Sequence, residues 1–127
     1  MKITIYGCPR TKKNSQRMVW NEKRRKYIPI PSEAYEKYER DAKLQIIGRY
    51  RQQLSGPVNV KCVYYMETRR RVDLVNLLEA TDDILVATSV LLDDNSQVIA
   101  GHDGSRVKYD KNCPRVEIEI EPMSDEQ

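Results

Sequence analysis

The stretch that decides the fold reads Arg69-Arg70-Arg71-Val72-Asp73-Leu74-Val75-Asn76-Leu77-Leu78-Glu79-Ala80-Thr81-Asp82-Asp83-Ile84-Leu85-Val86-Ala87. Asp73 stands just before an apolar run of helical period. There a carboxylate can accept an unpaired backbone N–H and face the positive end of the helix dipole. At about 100° per residue, Leu74, Leu77, Leu78, Thr81, Ile84 and Leu85 fall within about 120° of one another. Asp73, Asn76, Glu79 and Asp83 share a comparable arc on the opposite side. The spacing predicts a helix from Asp73 to near Ala87, apolar toward a core and acidic away from it.

Working outward, Val58 to Met66 is rich in β-formers and is predicted as a central strand, set off by Ser55-Gly56-Pro57. Pro31-Ser32-Glu33 marks another helix start, with Ser32 as N-cap. This helix is predicted to reach about Leu54, with Tyr35, Tyr38, Ala42, Ile46 and Tyr50 near one face. Lys2 to Tyr6 alternates as a strand. Met18-Val19-Trp20 and Lys26 to Ile30 suggest a hairpin across Asn21 to Arg25, although Pro29 is unusual in a strand. Ser96 to Gly101 and Arg106 to Tyr109 suggest a second hairpin turning at Asp103-Gly104. In the last strand, Val116, Ile118 and Ile120 face inward while Arg115, Glu117, Glu119 and Glu121 face water. The expectation is one α+β domain, residues 1–121, with a mixed sheet and two main helices, followed by a flexible tail, residues 122–127.

A chain of 127 residues can bury one modest core. It contains no apolar run of about 18 residues, so no membrane partner is expected. Cys8, Cys62 and Cys113 are odd in number, widely spaced and lack a CxxC pair, as in reduced thiols. No signal-peptide apolar region follows Met1, and the cytoplasm is the expected location. Charge is unevenly placed. Residues 1–31 hold nine lysines and arginines against the single acid Glu22, whereas residues 73–94 hold six acids and no base. Basic surfaces bind polyanions through counterion release. Clustered carboxylates are tolerable when solvated, protonated or bridged by a cation. The two patterns together suggest a basic DNA platform around an acidic metal pocket.

Phosphodiester hydrolysis needs a water placed in line behind phosphorus and stabilisation of the departing oxygen. Mg²⁺ serves both needs and takes hard oxygen ligands. Asp73, at a helix start, and Asp94, just past the apolar run Val90-Leu91-Leu92, could converge on one ion from separate elements. The bland alternative makes Asp73 a cap, Asp82-Asp83 a solvated helix face and Asp93-Asp94-Asn95 a turn. Arg69-Arg70-Arg71, directly before Asp73, favours the first view, because a nuclease needs cations beside its acids and a helix cap does not.

The stretch from Arg69 to Ala80, then Asp83, then Leu92-Asp93-Asp94-Asn95-Ser96-Gln97-Val98 resembles the core signature of RusA-type Holliday-junction resolvases. That signature is a basic run, D-L-D-N with a lysine three residues after the Asn, a helix-borne Asp and a terminal D-D. Gly7-x-Pro9 with Lys12-Lys13-Asn14-Ser15 is similar to the family's basic N-terminal loop, and His102 to Val107 and Pro114-Arg115 to features of its Gram-positive and phage members. The resemblance implies a homodimer of mixed α/β fold that cuts branched, four-way DNA with Mg²⁺ or Mn²⁺ in recombination and repair. By position, Asp73 and Asp94 match catalytic carboxylates, and Asp83 and Asp93 match acidic positions nearby. Two positions depart: Val75 replaces the second carboxylate of D-L-D, and Glu79 replaces the lysine. Glu79 is expected to supply the missing ligand. The expected metal set is therefore Asp73, Glu79, Asp93 and Asp94, with Asn76 and Asp83 in support.

Arg10, Lys12, Lys13, Arg17, Arg69, Arg70, Arg71 and Arg106 are the expected DNA contacts. The tip Lys23-Arg24-Arg25-Lys26 is less specific, since hairpin tips are often charged. His102, the only histidine, sits before a glycine turn and is not expected in catalysis. Tyr35, Tyr38 and Tyr50 are expected to pack rather than stack on bases. The alternative function is a catalytically degenerate DNA-binding or regulatory protein on the same fold. An RNA-binding accessory protein would leave the acidic island unexplained.

Overall fold

Val58–Met66 forms β4, and its alternation sets the layers of the molecule. Val58, Val60, Cys62 and Tyr64 point into the core, while Asn59, Lys61, Val63 and Tyr65 lie on the opposite, more open face. The computed structural model describes residues 1–12 and 16–123. On one side β4 pairs antiparallel with β7, Arg115–Pro122, which pairs antiparallel with β1, Lys2–Tyr6. On its other side β4 pairs parallel with β5, Ile99–Gly101, and β6, Arg106–Tyr109. The sheet is mixed, as expected, and Val116, Ile118 and Ile120 face the core with Ile3 and Ile5.

Two helices cover that face. Ser32 Oγ accepts the Tyr35 N–H and opens α1, Glu33–Gln45, which buries Tyr35, Tyr38 and Ala42. Asp73 Oδ1 accepts the Asn76 N–H and opens α2, Leu74–Ala87. On α2 the buried arc is Leu77, Ala80, Thr81, Ile84 and Leu85, while Leu74 and Leu78 are only partly covered. The Tyr64 hydroxyl and Thr81 Oγ1 are 2.7 Å apart, so the buried polar atoms of sheet and helix satisfy each other. A hairpin stands apart from this sheet: β2, Gln16–Asn21, pairs only with β3, Lys26–Pro31.

Two expectations need correction. The first helix ends at Gln45, not near Leu54. Ile46 leaves helical dihedrals to become fully buried, and Arg51 Nε donates to its carbonyl. The following segment pairs with the chain beyond α2 through Gln53 N–H to Ser89 O, Leu54 N–H to Val90 O and Leu92 N–H to Leu54 O. Tertiary pairing thus overrides the helical pattern.

The expected hairpin of residues 96–101 and 106–109 does not form. Both segments run parallel along the same edge of β4, interrupted at His102–Ser105. Side chains bridge the gap: Asn59 Oδ1 accepts the Asp103 N–H, Asn59 Nδ2 donates to Asp103 O, and Ser105 Oγ accepts the Cys62 N–H. Gly104, at φ +87, lets the chain bulge out and rejoin the edge in its original direction.

The last strand runs on to Pro122. Pro122 pairs with Val58, and the Met123 N–H donates to Pro57 O. The remaining tail, residues 124–127, lies outside the described residues.

Candidate active site and nucleic-acid interface

α2 carries the acidic residues and fixes which of them meet. Asp73 is exposed at the N-cap, its Oδ1 held by the Asn76 N–H, so it acts as a cap whatever else it does. Asn76 and Glu79 follow on the same helix, Asn76 half-buried and Glu79 exposed. Val75 is exposed at 69%, so the position where the family pattern has a carboxylate faces solvent and carries no packing duty.

Asp83 does not stand alone. Its Oδ2 receives Lys12 Nζ at 2.7 Å, which ties the N-terminal basic segment to the middle of α2. A residue expected to contact DNA and one expected to support the acidic site are thus each other's partners. The next acids, Asp93 and Asp94, are exposed in the turn after α2. Asp93 Oδ1 accepts the Asp94 N–H at 2.7 Å and its Oδ2 accepts from Asn95 Nδ2. These bonds hold the Asp93 carboxyl below its ordinary range. Both its oxygens are engaged in the turn that presents Asp94.

The sequence reading missed the most deeply placed acid of this region. Asp82 has a side chain only 13% exposed, and its Oδ2 lies 2.9 Å from His102 Nε2. His102 Nδ1 is 2.9 Å from Val60 O, which can only accept, so that nitrogen carries hydrogen. The contact to Asp82 is then either an imidazolium donating to a carboxylate or a carboxylic acid donating to a neutral ring. Either way the pair retains one proton. Burial pushes the Asp82 carboxyl up despite the opposing pull of His102, and the nearby charges of Asp94 and Asp83 add to the rise. The hydrogen bond to Asp82 raises His102 in turn, against the effect of its own burial. Asp82 Oδ1 is buried without a hydrogen-bond partner among the described residues. The histidine's partner comes from α2, and only the interrupted edge strand brings the two together.

Among the described residues, no group of three or more histidine, cysteine, aspartate or glutamate side chains is placed to hold a metal ion. The structure brings Asp82 within electrostatic range of Asp83 and Asp94 and leaves Asp73 exposed at the head of α2.

The basic residues divide by what they touch. Arg10, Arg70 and Arg71 line one groove with Cys8, Met66 and Glu67, joining the N-terminal loop to the arginine run before Asp73. Arg69 and Arg70 line a second with Lys108 and Tyr109, and Arg69 lies over the Tyr109 ring at 4.3 Å. Arg106 is exposed on the same edge strand. Arg17 is different: it binds Glu33 and Glu36 and fastens the hairpin to α1, so the structure gives it intramolecular partners. Lys13 lies outside the described residues.

A family model described as endodeoxyribonuclease RusA matches residues 7–121 of the chain. No curated protein matches it. Among the described residues, no helix is long and apolar enough to cross a membrane.

Proposed function

The chain belongs to the RusA endodeoxyribonuclease family, whose members act on Holliday-junction DNA, and on that premise we propose that it hydrolyses phosphodiesters of branched DNA with Mg²⁺, or Mn²⁺ in its place. The observation that carries this reading is the groove lined by Arg10, Arg70 and Arg71, which ends at Val72, the residue directly before Asp73 at the head of α2. A homodimer is part of the proposal, since a two-fold protein matches the symmetry of a four-way junction. So are a cytoplasmic location and a role in recombination and repair.

The donor set suits the metal chemically. Mg²⁺ prefers carboxylate oxygen and is often held by one or two carboxylates plus water and substrate phosphate, rather than by an all-protein cage. One or two of Asp73, Glu79, Asp93 and Asp94 would hold the ion, with Asn76 and Asp83 in support. When bound, the ion supplies an activated water and charge stabilisation at the leaving oxygen. The chain's own contributions are separate. Arg10 and Arg69 to Arg71 bind and orient phosphates. Asp93 shapes the turn that presents Asp94. The Lys12–Asp83 ion pair holds the basic N-terminal segment against α2.

The test is incubation of the protein with an end-labelled four-way junction in Mg²⁺, with and without EDTA. Symmetrically placed nicks that EDTA abolishes are expected. Tight junction binding without cutting in either Mg²⁺ or Mn²⁺ would instead favour the second reading, a DNA-binding or regulatory protein without catalysis. The exposed Val75 at the position of a lost carboxylate is the observation behind that reading.

A further inference from the structure

We propose that the outward face of the β2–β3 hairpin is a stacking platform for an unstacked base at the branch point of the DNA. The inference rests on branched DNA as the ligand and adds a second contact, on a different element from the acidic site. Register defines the face: Trp20 pairs with Tyr27 and Met18 with Pro29, so these four project together. Trp20 is 44% and Tyr27 63% exposed, and Met18 and Pro29 are exposed beside them. The opposite face carries Arg17, Ile28 and Ile30, half-buried, with Arg17 anchored to Glu33 and Glu36 of α1. The hairpin is therefore held by one side and presents aromatics on the other.

The two rings meet edge-to-face, with centroids 5.2 Å apart and planes at 70°. In such a pair the ring offering its edge keeps both faces open to a third ring. Trp20 Nε1 already donates to Glu22 Oε1, so stacking rather than hydrogen bonding is what the exposed indole has left to offer. Lys23, Arg24, Arg25 and Lys26 are all exposed at the tip. Cations at a tip beside open aromatic rings are complementary to a nucleic-acid strand, with phosphate on the charges and base on the rings. An apolar protein partner would gain nothing from four clustered positive charges. A two-stranded ribbon is also marginal alone, so a ligand on its outer face would be expected to stabilise it.

Trp20 is the only tryptophan, so its emission reports on this face alone. The full chain, in EDTA, is titrated with a four-way junction, a blunt duplex of matched sequence and a single strand, and binding is followed in parallel by gel shift. Saturating quenching by the junction and the single strand, several-fold weaker with duplex, is expected. Trp20→Ala and Tyr27→Ala should each weaken junction binding about tenfold, while Trp20→Phe, which keeps a ring, should restore most of it. Junction binding on the gel with unchanged Trp20 emission overturns the platform and leaves the nuclease reading standing. An emission change that tracks protein concentration without DNA assigns the face to a second copy and also overturns it. Failure to bind any of the three DNAs overturns both readings.

Discussion

Asp82 Oδ2 and His102 Nε2 stand 2.9 Å apart, joining α2 to the interruption between β5 and β6 through one retained proton. Both groups are raised, His102 from 6.5 and Asp82 from 3.8. A raised value in the fold means that the folded state binds more protons than the unfolded chain, so stability falls as pH rises. The histidine contribution is complete below its ordinary value and is lost as pH passes the raised folded one. The Asp82 shift acts in the same sense from lower pH upward. The melting temperature should fall between about pH 5 and about pH 8, and His102→Asn should flatten that slope. Melting curves read by circular dichroism check it. A wild-type profile no steeper than that of the variant would refute the shared proton.

Asp94→Asn tests the acidic site directly. With Asp94 as a ligand of the proposed metal, the change should lower junction cutting more than about a hundredfold, since even outer-shell partners of metal ligands cost about 10- to 100-fold. Junction binding should persist or tighten, because one negative charge beside phosphate is removed. Glu79→Ala should also slow cutting if Glu79 stands in for the carboxylate absent at Val75; an unchanged rate would dismiss that substitution. Cleavage rates and gel shifts measured on the same preparations separate the two effects.

Val75→Asp is the complementary gain. The side chain is exposed, so the change should alter stability by no more than about 0.5 kcal/mol. Restoring the family's second carboxylate should raise the Mg²⁺-dependent cutting rate about tenfold, the lower end of the effect expected for a group that acts on a bound metal. No change in rate would place the reacting metal away from the head of α2.

Much of this architecture was legible because it rests on short-range rules. Asp73 and Ser32 cap where a carboxylate and a hydroxyl should, the β-rich run from Val58 to Met66 forms β4, and the period-two alternation of β7 gave that strand its core-facing side. What escaped was long-range. Ile46 ends α1 because the core claims it, and Gln53 and Leu54 leave the helix to pair with Ser89 to Leu92. A turn at Asp103-Gly104 looks the same in sequence whether the chain reverses or bulges. The side chain of Asn59 and the backbone N–H of Cys62, both remote in sequence, decide which. The acidic island was visible as a charge run, but period alone did not show that Asp82 would turn inward to His102 while Asp83 met Lys12.

Salt dependence reports on the basic grooves. Each phosphate contact steepens the fall of log binding constant with log salt by about 0.9 on duplex DNA. Arg70→Ala and Arg71→Ala, which share a groove with Arg10, should each make that slope shallower by about one and weaken binding to all sequences alike. Arg17→Ala should leave the slope unchanged, because its guanidinium is occupied by Glu33 and Glu36. Equal slopes for the wild type and the Arg70 and Arg71 variants would remove the groove from the DNA interface.

Ser105→Ala probes the interrupted edge that carries His102. The Cys62 backbone N–H points toward this edge, and Ser105 Oγ accepts it at 3.0 Å where a continuous strand would have offered a carbonyl. Cys62 is fully buried, so removing the acceptor strands a donor away from water, at a cost of about 1–3 kcal/mol. Urea denaturation should show a lower midpoint with an unchanged slope, since the surface exposed on unfolding is nearly the same. A midpoint unmoved from wild type would mean that the edge satisfies Cys62 by another route and that the side-chain bridge across residues 102–105 is dispensable. Asn59→Ala, which removes two hydrogen bonds to Asp103 at a more open position, should cost less than Ser105→Ala. That order follows from burial rather than from the number of bonds, because water can replace Asn59 at Asp103 but cannot reach Cys62.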